Sequence, residues 1–346
     1  MESLMRLATE PPMQGSDNPL ALSLNENPFS PLPAVHAAIV AAVGTANRYP
    51  EFLPERLRGV IGRHLGVNDE QIVIGAGATG VVMQALHALT DPGDRIVMAY
   101  PTFDGYPICA QMARLQTVKV PLDHDGRHDL DAMADAAADA RVVVLCRPHN
   151  PSGTVESIGA VRRFLRRVPR DTLVLLDEAY IEFVSSSLRI NAPALVRQFP
   201  NVIVVRTFSK AYGLAGMRTG YAFCSAEMAH TLWRMQLPFG TNIASLAAVA
   251  ASYCAERELR QRIRMITAER ARLRMRLRAM GIRSTDSHAN FVYLPPSGRP
   301  WSEAFEGTGL QVRSYGDGGV RITVGNRTST QAVLDALGTS VAAGAI

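Results

Sequence analysis

The sequence predicts an α/β fold: a mainly parallel sheet flanked by helices, followed by a smaller α+β C-terminal domain. Three observations lead there. Through residues 31–240, short apolar β-branched runs alternate with helix-like segments, the pattern of strands covered on both faces. The unusual polar residues gather where those runs end, which in such sheets is where ligands sit. After residue 240 the alternation gives way to a long helical region and three short alternating segments. The expected organisation is therefore an N-terminal arm over residues 1–30, a large domain over 31–240 and a small domain over 241–346.

Taken in order, the arm is rich in Pro, Asn and Ser and ends in LNENPFSP. Leu32 to Val43 has a helical pattern with Pro33 near its start, where a missing N–H costs nothing. Asn47 to Pro54 reads as a loop, and Glu55 to Leu65 as a helix closed by Gly66. Gln71 to Ile74 is a short strand running into Gly75-Ala76-Gly77-Ala78-Thr79-Gly80 and an apolar helix to Leu89. Strands follow at Arg95 to Ala99, Arg141 to Leu145, Thr172 to Leu176 and Val202 to Val205, with a helix from Val161 to Val168. The helical region ends in Glu256 to Met280, where Leu259, Ile263, Ile266, Leu273, Leu277 and Met280 draw one apolar stripe. Asn290 to Leu294, Leu310 to Arg313 and Val320 to Val324 suggest a small sheet, with a helix from Thr330 to Leu337 behind it.

The 346 residues are 47% hydrophobic and 19% charged, an ordinary globular balance. The net charge of +5 could suit nucleic acid, but nine arginines fall between Arg257 and Arg278 with no aromatic residues interleaved for base stacking. They read as the solvated face of one helix, so no nucleic-acid partner is expected. The four cysteines, Cys109, Cys146, Cys224 and Cys254, are far apart and form no CxxC pair. Free thiols in a reducing compartment fit, and no metal site is expected. The N-terminus lacks the apolar core of a signal peptide, and no run is long enough to span a bilayer. The expectation is a cytoplasmic chain with no membrane partner.

Gly75 to Gly80 spells G-x-G-x-x-G between a strand and a helix, which raises a dinucleotide-binding fold. That fold needs a carboxylate at the end of the next strand for the ribose. Here the next strand ends in Tyr100-Pro101-Thr102-Phe103. What remains is the shared physics, in which N–H groups at a helix start cradle a phosphate.

The remaining strand ends carry the chemistry. Lys210 follows a buried strand, where lost hydration lowers an amine's pKa and makes it a nucleophile toward an aldehyde. Arg218 can return to the same place past Gly213 and Gly216, and its forked donors suit a phosphate. Asp177 and Tyr180 end one strand and Asn150 another.

In LNENPF, NRYPE, PTFDGY, NPSGT, LDEAYIEF, RTFSKAYGLAGMRTGY, ANFVYLP and VRITVG, which run in order from residue 22 to 325, the chain resembles the fold-type I pyridoxal-phosphate enzymes. The resemblance is nearest to the histidinol-phosphate and aromatic amino-acid aminotransferases. It implies pyridoxal 5'-phosphate as cofactor, an amino donor and a 2-oxo acid acceptor (2-oxoglutarate) as small-molecule partners, and a homodimer with shared active sites. It implies that Lys210 carries the cofactor and shuttles the substrate proton, and that Asp177 pairs with the ring nitrogen. Asn150 and Tyr180 would bond the phenolate oxygen, and Phe103 would stack on the ring. Ala78, Thr79, Ser209 and Arg218 would hold the phosphate, joined by Tyr49 from the neighbouring subunit. Arg321 would take the substrate anion, with Arg313 as a second candidate, and Asn25 would help close the pocket.

The departures bear on substrate. Thr79 and Gly80 stand where the family usually has Asp-Glu, and His149 replaces an Asn. Phe103 lacks the hydroxyl of a tyrosine that touches the substrate phosphate in histidinol-phosphate enzymes, and the arm lacks a tyrosine before LNENPF. Both losses point toward an aromatic amino acid, with histidinol phosphate as the alternative. Further alternatives are a decarboxylase of the same fold acting on an amino-acid phosphate, a cofactor-sensing domain of a transcription regulator and a nicotinamide dehydrogenase.

Overall fold

A computed structural model describes residues 18–342. Residues 1–17 of the expected arm, and 343–346, lie outside the described residues. The first helices are α1 (Pro33–Val43) and α2 (Glu55–Leu65). As the sequence suggested, Pro33 stands in the first turn of α1, and Gly66 closes α2 in the left-handed conformation.

The large sheet has seven strands: β1 (Ile72–Ala76), β2 (Arg95–Tyr100), β3 (Gln116–Pro121), β4 (Val142–Cys146), β5 (Leu173–Asp177), β6 (Val202–Thr207) and β7 (Thr219–Phe223). Their order across the sheet is β1-β7-β6-β5-β4-β2-β3. From β3 to β6 all neighbours are parallel, while β7 is antiparallel to both β6 and β1. The dinucleotide alternative fails on this topology, because the strand before the glycine run lies at the sheet edge and pairs antiparallel.

Strands β4 and β5 are buried along their whole length, since helices cover both faces. On one face lie α3 (Gly77–Leu89), α4 (Gly105–Met112) and α8 (Ala226–Trp233), whose Val82, Cys109 and Leu232 join Val73, Ile96 and Ile203 of the sheet. On the other lie α5 (Leu130–Ala137), α6 (Ile158–Arg167) and α7 (Ala192–Gln198), whose Met133, Phe164 and Leu195 join Val97, Val143 and Val174. Asp129, Ser157 and Asn191 cap the starts of these three by accepting a backbone N–H. Each such cap stabilises its helix by about 1 kcal/mol.

Helix α9 (Ile243–Cys254) packs its Ala248 and Val249 into the same core, together with Val35 of α1. The long helix α10 (Glu256–Ala279) changes allegiance along its length: Leu259 belongs to the large core, whereas Ile266, Leu273 and Leu277 belong to a second one. That second core backs a small antiparallel sheet of β8 (Phe291–Leu294), β10 (Val320–Thr323) and β9 (Arg313–Ser314), covered by α11 (Arg327–Ala342).

One expected strand is corrected. Leu310 to Arg313 does not form a strand; only Arg313 and Ser314 pair with β10. The preceding residues are taken by the arm instead. Gln311 gives its carbonyl to Leu22 and its amide to the Leu20 carbonyl. The carbonyl of Leu22 in turn accepts from Thr323 in β10, so the arm is woven into the small sheet.

Candidate active site

The carboxyl ends of β4, β5 and β6 open into a cavity of about 520 Å³, closed on the far side by the arm and by the small sheet. Asp177, Asn150, Tyr180, Ser209, Lys210, Arg218, Ala78, Thr79, Phe103, Asn25, Arg313 and Arg321 all line it. Of the expected cofactor- and substrate-binding residues, Tyr49 lies elsewhere. It is 82% exposed and packs its ring, tilted by 36°, against Phe239 beside a separate groove.

At the floor, Asp177 is buried and fixed on both oxygens. Its Oδ1 accepts the Ala179 N–H at 2.9 Å and its Oδ2 accepts the Tyr106 hydroxyl at 2.5 Å. Burial raises its pKa, and the bonds from Tyr106 and Ala179 oppose that rise. The next residue, Glu178, is fully buried and is paired by Arg206 at 2.7 Å, so its charge does not reach the cavity unscreened.

Lys210 stands at the wall, where its amine donates to the Leu24 carbonyl of the arm at 2.9 Å. Burial, and then the nearby charge of Arg321, lower its pKa from 10.5 to about 8.

The glycine run builds one end. Gly77 begins α3 at φ 74° and gives its N–H to the Arg218 carbonyl at 3.0 Å. The following N–H groups, at Ala78 and Thr79, have no carbonyl one turn back to bond. Gly220 of β7 packs against this turn so closely that a Cβ there would lie 2.3 Å from the Gly77 carbonyl carbon. Arg218 is itself left-handed at φ 48° and reaches the Ser209 hydroxyl at 3.5 Å. Thr207 holds that hydroxyl from behind at 2.9 Å. The result is a cradle of N–H, hydroxyl and guanidinium donors at a helix start, the chemistry of a phosphate site.

Across the cavity, Tyr180 is buried, and its hydroxyl accepts from Asn25 at 3.0 Å and Asn150 at 3.3 Å. Burial raises its pKa, opposed first by the charge of Arg321. Asn150 uses its oxygen for Arg321 at 2.6 Å. Arg321 is 6% exposed, and also donates to the Ser23 carbonyl, yet its Nε–H is buried without a partner. A buried, unspent donor costs free energy until something accepts from it. Arg313 differs: it is exposed and paired with Asp104 at 2.5 Å.

The turn that carries Asn150 is braced from below. His149 meets the Ser152 hydroxyl at 3.0 Å, and its ring lies edge-on to His128, which meets Glu156 at 2.8 Å. Burial, and then His128, lower the pKa of His149.

Sequence reasoning missed Tyr106, Thr207 and Asp104. The signal for Tyr106 was present only in that PTFDGY places it three residues after Phe103, close enough along the chain for the two rings to meet. The two rings meet edge to face at 5.4 Å. The arm carbonyls of Ser23 and Leu24 left no sequence signal, since a main-chain oxygen has no residue type.

The residues fit pyridoxal phosphate: an amine of depressed pKa, a buried carboxylate facing the cavity, donors at the phenolate edge and an anion cradle at one end. Comparisons with known proteins agree with this chemistry. Residues 17–337 match the family described as aminotransferase class I and II. The chain is 40% identical over 328 residues to an aromatic amino acid aminotransferase of Cutibacterium acnes, covering 94% of this chain and 93% of that one. It is 42% identical over 315 residues to an aromatic amino acid aminotransferase of Streptomyces coelicolor, covering 90% and 88%. Among solved structures, the histidinol-phosphate aminotransferase of Sinorhizobium meliloti, in complex with pyridoxal 5'-phosphate, superposes with a TM-score of 0.84. The identity there is 28%, over 92% of this chain and 89% of that one.

Proposed function

The chain belongs to the class I and II aminotransferases, and from that premise we propose that it moves the amino group of an aromatic amino acid to 2-oxoglutarate with pyridoxal 5'-phosphate as cofactor. One observation carries this reading: a single cavity brings the depressed amine of Lys210 together with Asp177, the Arg218 cradle and the unspent Nε–H of Arg321.

When bound there, the cofactor would supply an electron sink for the substrate's α-carbon. Lys210 would hold it and would carry the substrate proton, a task suited to an amine that is partly neutral near neutral pH. Asp177, fixed by Tyr106 and Ala179, would face the ring nitrogen with its carboxylate. Asn150 and Tyr180 would hold the phenolate edge, and Phe103 would cover one ring face. The N–H groups of Ala78 and Thr79, the Ser209 hydroxyl and Arg218 grip the phosphate. Arg321 takes the substrate carboxylate, and Asn25 holds the arm over it by pairing with Thr323 as well as Tyr180.

Tyr49, exposed and remote from its own cavity, serves the phosphate of a second copy, so the working form is a homodimer with shared sites. No helix among the described residues is long and apolar enough to cross a membrane. The cytoplasm is the compartment in which the free thiols Cys109, Cys146, Cys224 and Cys254 persist.

The substrate is decided by a single-turnover panel in which the holoenzyme meets Phe, Tyr, Trp, His or histidinol phosphate and the carbonyl product is measured. Phe, Tyr and Trp should give their 2-oxo acids, and Lys210→Ala should abolish the reaction. Preference for histidinol phosphate, release of carbon dioxide or full activity in the variant would overturn the reading.

A further inference from the structure

Arg313 and Arg321 stand directly opposite each other on β9 and β10, so both project from the same face of the small sheet. Both line the cavity. Two guanidinium groups at such a pair repel, and each has been answered differently. Arg321 is buried and meets only neutral oxygens, those of Asn150 and Ser23, so its full charge stays available. Arg313 meets a carboxylate, Asp104, at 2.5 Å. Asp104 occupies the N-cap position of α4, yet its side chain caps nothing. Its carboxylate is spent on the guanidinium instead. The pair also stands as a partition, since both residues line the active cavity and a smaller one of about 170 Å³ behind it.

We propose that Asp104 is a specificity-determining residue: by cancelling the charge of Arg313 it leaves Arg321 as the uncompensated member of this arginine pair, so that a substrate with one carboxylate and an uncharged side chain is preferred over one with a distal anion. The inference rests on the transaminase reading for its substrates and deepens it. A distal anion that reaches Arg313 must displace the Asp104 carboxylate and then lie beside it. Like-charge juxtaposition is the usual way in which a site rejects a competitor. The penalty scales with charge, so a phosphate dianion suffers more than the second carboxylate of 2-oxoglutarate. The pair is 46% and 55% exposed on its two sides, and is therefore weak enough for a carboxylate to open. An aromatic side chain leaves it closed.

The test compares the wild-type holoenzyme with Asp104→Asn and with the double variant Asp104→Asn/Arg313→Ala. Two unreactive inhibitors, 3-phenylpropionate with one carboxylate and glutarate with two, are titrated against each. The kcat/KM values for phenylalanine and for glutamate, which carries a second, distal carboxylate, are measured alongside. Asp104→Asn should shift both ratios toward the compound with two carboxylates, by about tenfold, with the change carried in KM and Ki. The double variant should lose that shift, because the freed cation is gone. An unchanged ratio, a shift that survives in the double variant, or failure of either inhibitor to bind would overturn the proposal. A wild-type enzyme that binds both inhibitors but transaminates no aromatic amino acid would defeat the substrate reading, and the inhibitor ratio would still decide the role of Asp104.

Discussion

Raising the pH should free the amine of Lys210 well before an ordinary lysine loses its proton. Burial, then Arg321, bring it from 10.5 to about 8. At pH 7.5 a group with a pKa of about 8 is roughly one-quarter neutral, against about one part in a thousand for an unperturbed lysine. The assay mixes cofactor-free protein with pyridoxal phosphate across the range from about pH 6.5 to 9.5 and follows borohydride-fixable attachment at Lys210. Each rate is divided by that of a free lysine side-chain analogue at the same pH, which cancels the cofactor's own titration. Below pH 8 both amines gain neutral form in parallel, so the ratio is flat. Above it Lys210 is already neutral while the analogue is not, and the ratio should fall by about tenfold per pH unit. Arg321→Gln should move the break upward, because that charge lowers Lys210. The same shift sets the sign for stability. The folded amine binds protons less readily than the unfolded one, so the cofactor-free protein gains stability as pH rises from about 8 toward 10.5. A ratio that stays flat to pH 9.5 would refute the assigned environment.

Three further outcomes follow from the same geometry. Arg321→Ala should raise KM for the amino donor by about tenfold to a hundredfold, the worth of bonds to a charged group, with the cofactor retained; loss of the cofactor instead would show that its role is misassigned. Tyr106→Phe removes a bond that holds the Asp177 pKa down against burial, so the acid limb of cofactor retention should move to higher pH, and a pH titration of cofactor release that leaves the limb in place would count against it. Gly220→Ala places a Cβ 2.4 Å from the Ala78 nitrogen, against the rigid Gly77–Ala78 peptide, which should cost about 1–3 kcal/mol and lower the melting temperature; an unchanged melting curve would mean that the turn at Gly77 yields freely.

Much of this site could be read before any coordinates. The strand ends Asn150, Asp177 and Lys210 were legible because buried β-branched runs mark the parallel strands, and parallel strands put their carboxyl ends on one side. Arg218 was legible from the glycines around it. The expected strand from Leu310 was misplaced, because alternation shows that a segment is extended but not which neighbour takes its amides. Here the arm took them. The difference between Arg313 and Arg321 was invisible for a related reason. Both are arginines in alternating segments, and only the fold shows that one faces Asp104 while the other faces Asn150. The antiparallel β7, a strand rich in small residues, also escaped notice. It decides that the glycine turn lies at the sheet edge, and so separates this fold from a dinucleotide-binding one.

The stitching of the arm has a consequence for how the protein is made. The amide of Asn25 bonds the hydroxyl of Thr323 across 298 positions, and the Leu24 carbonyl receives Lys210 from 186 positions away. On the ribosome, the floor with Asp177 and the cradle with Arg218 emerge and can fold while residues 20–25 still lack their partners. Those residues find their seats only when β10 leaves the exit tunnel. Closure over such separations is the slow part of a folding reaction. A nascent chain released before that point would expose a finished cofactor floor with no roof.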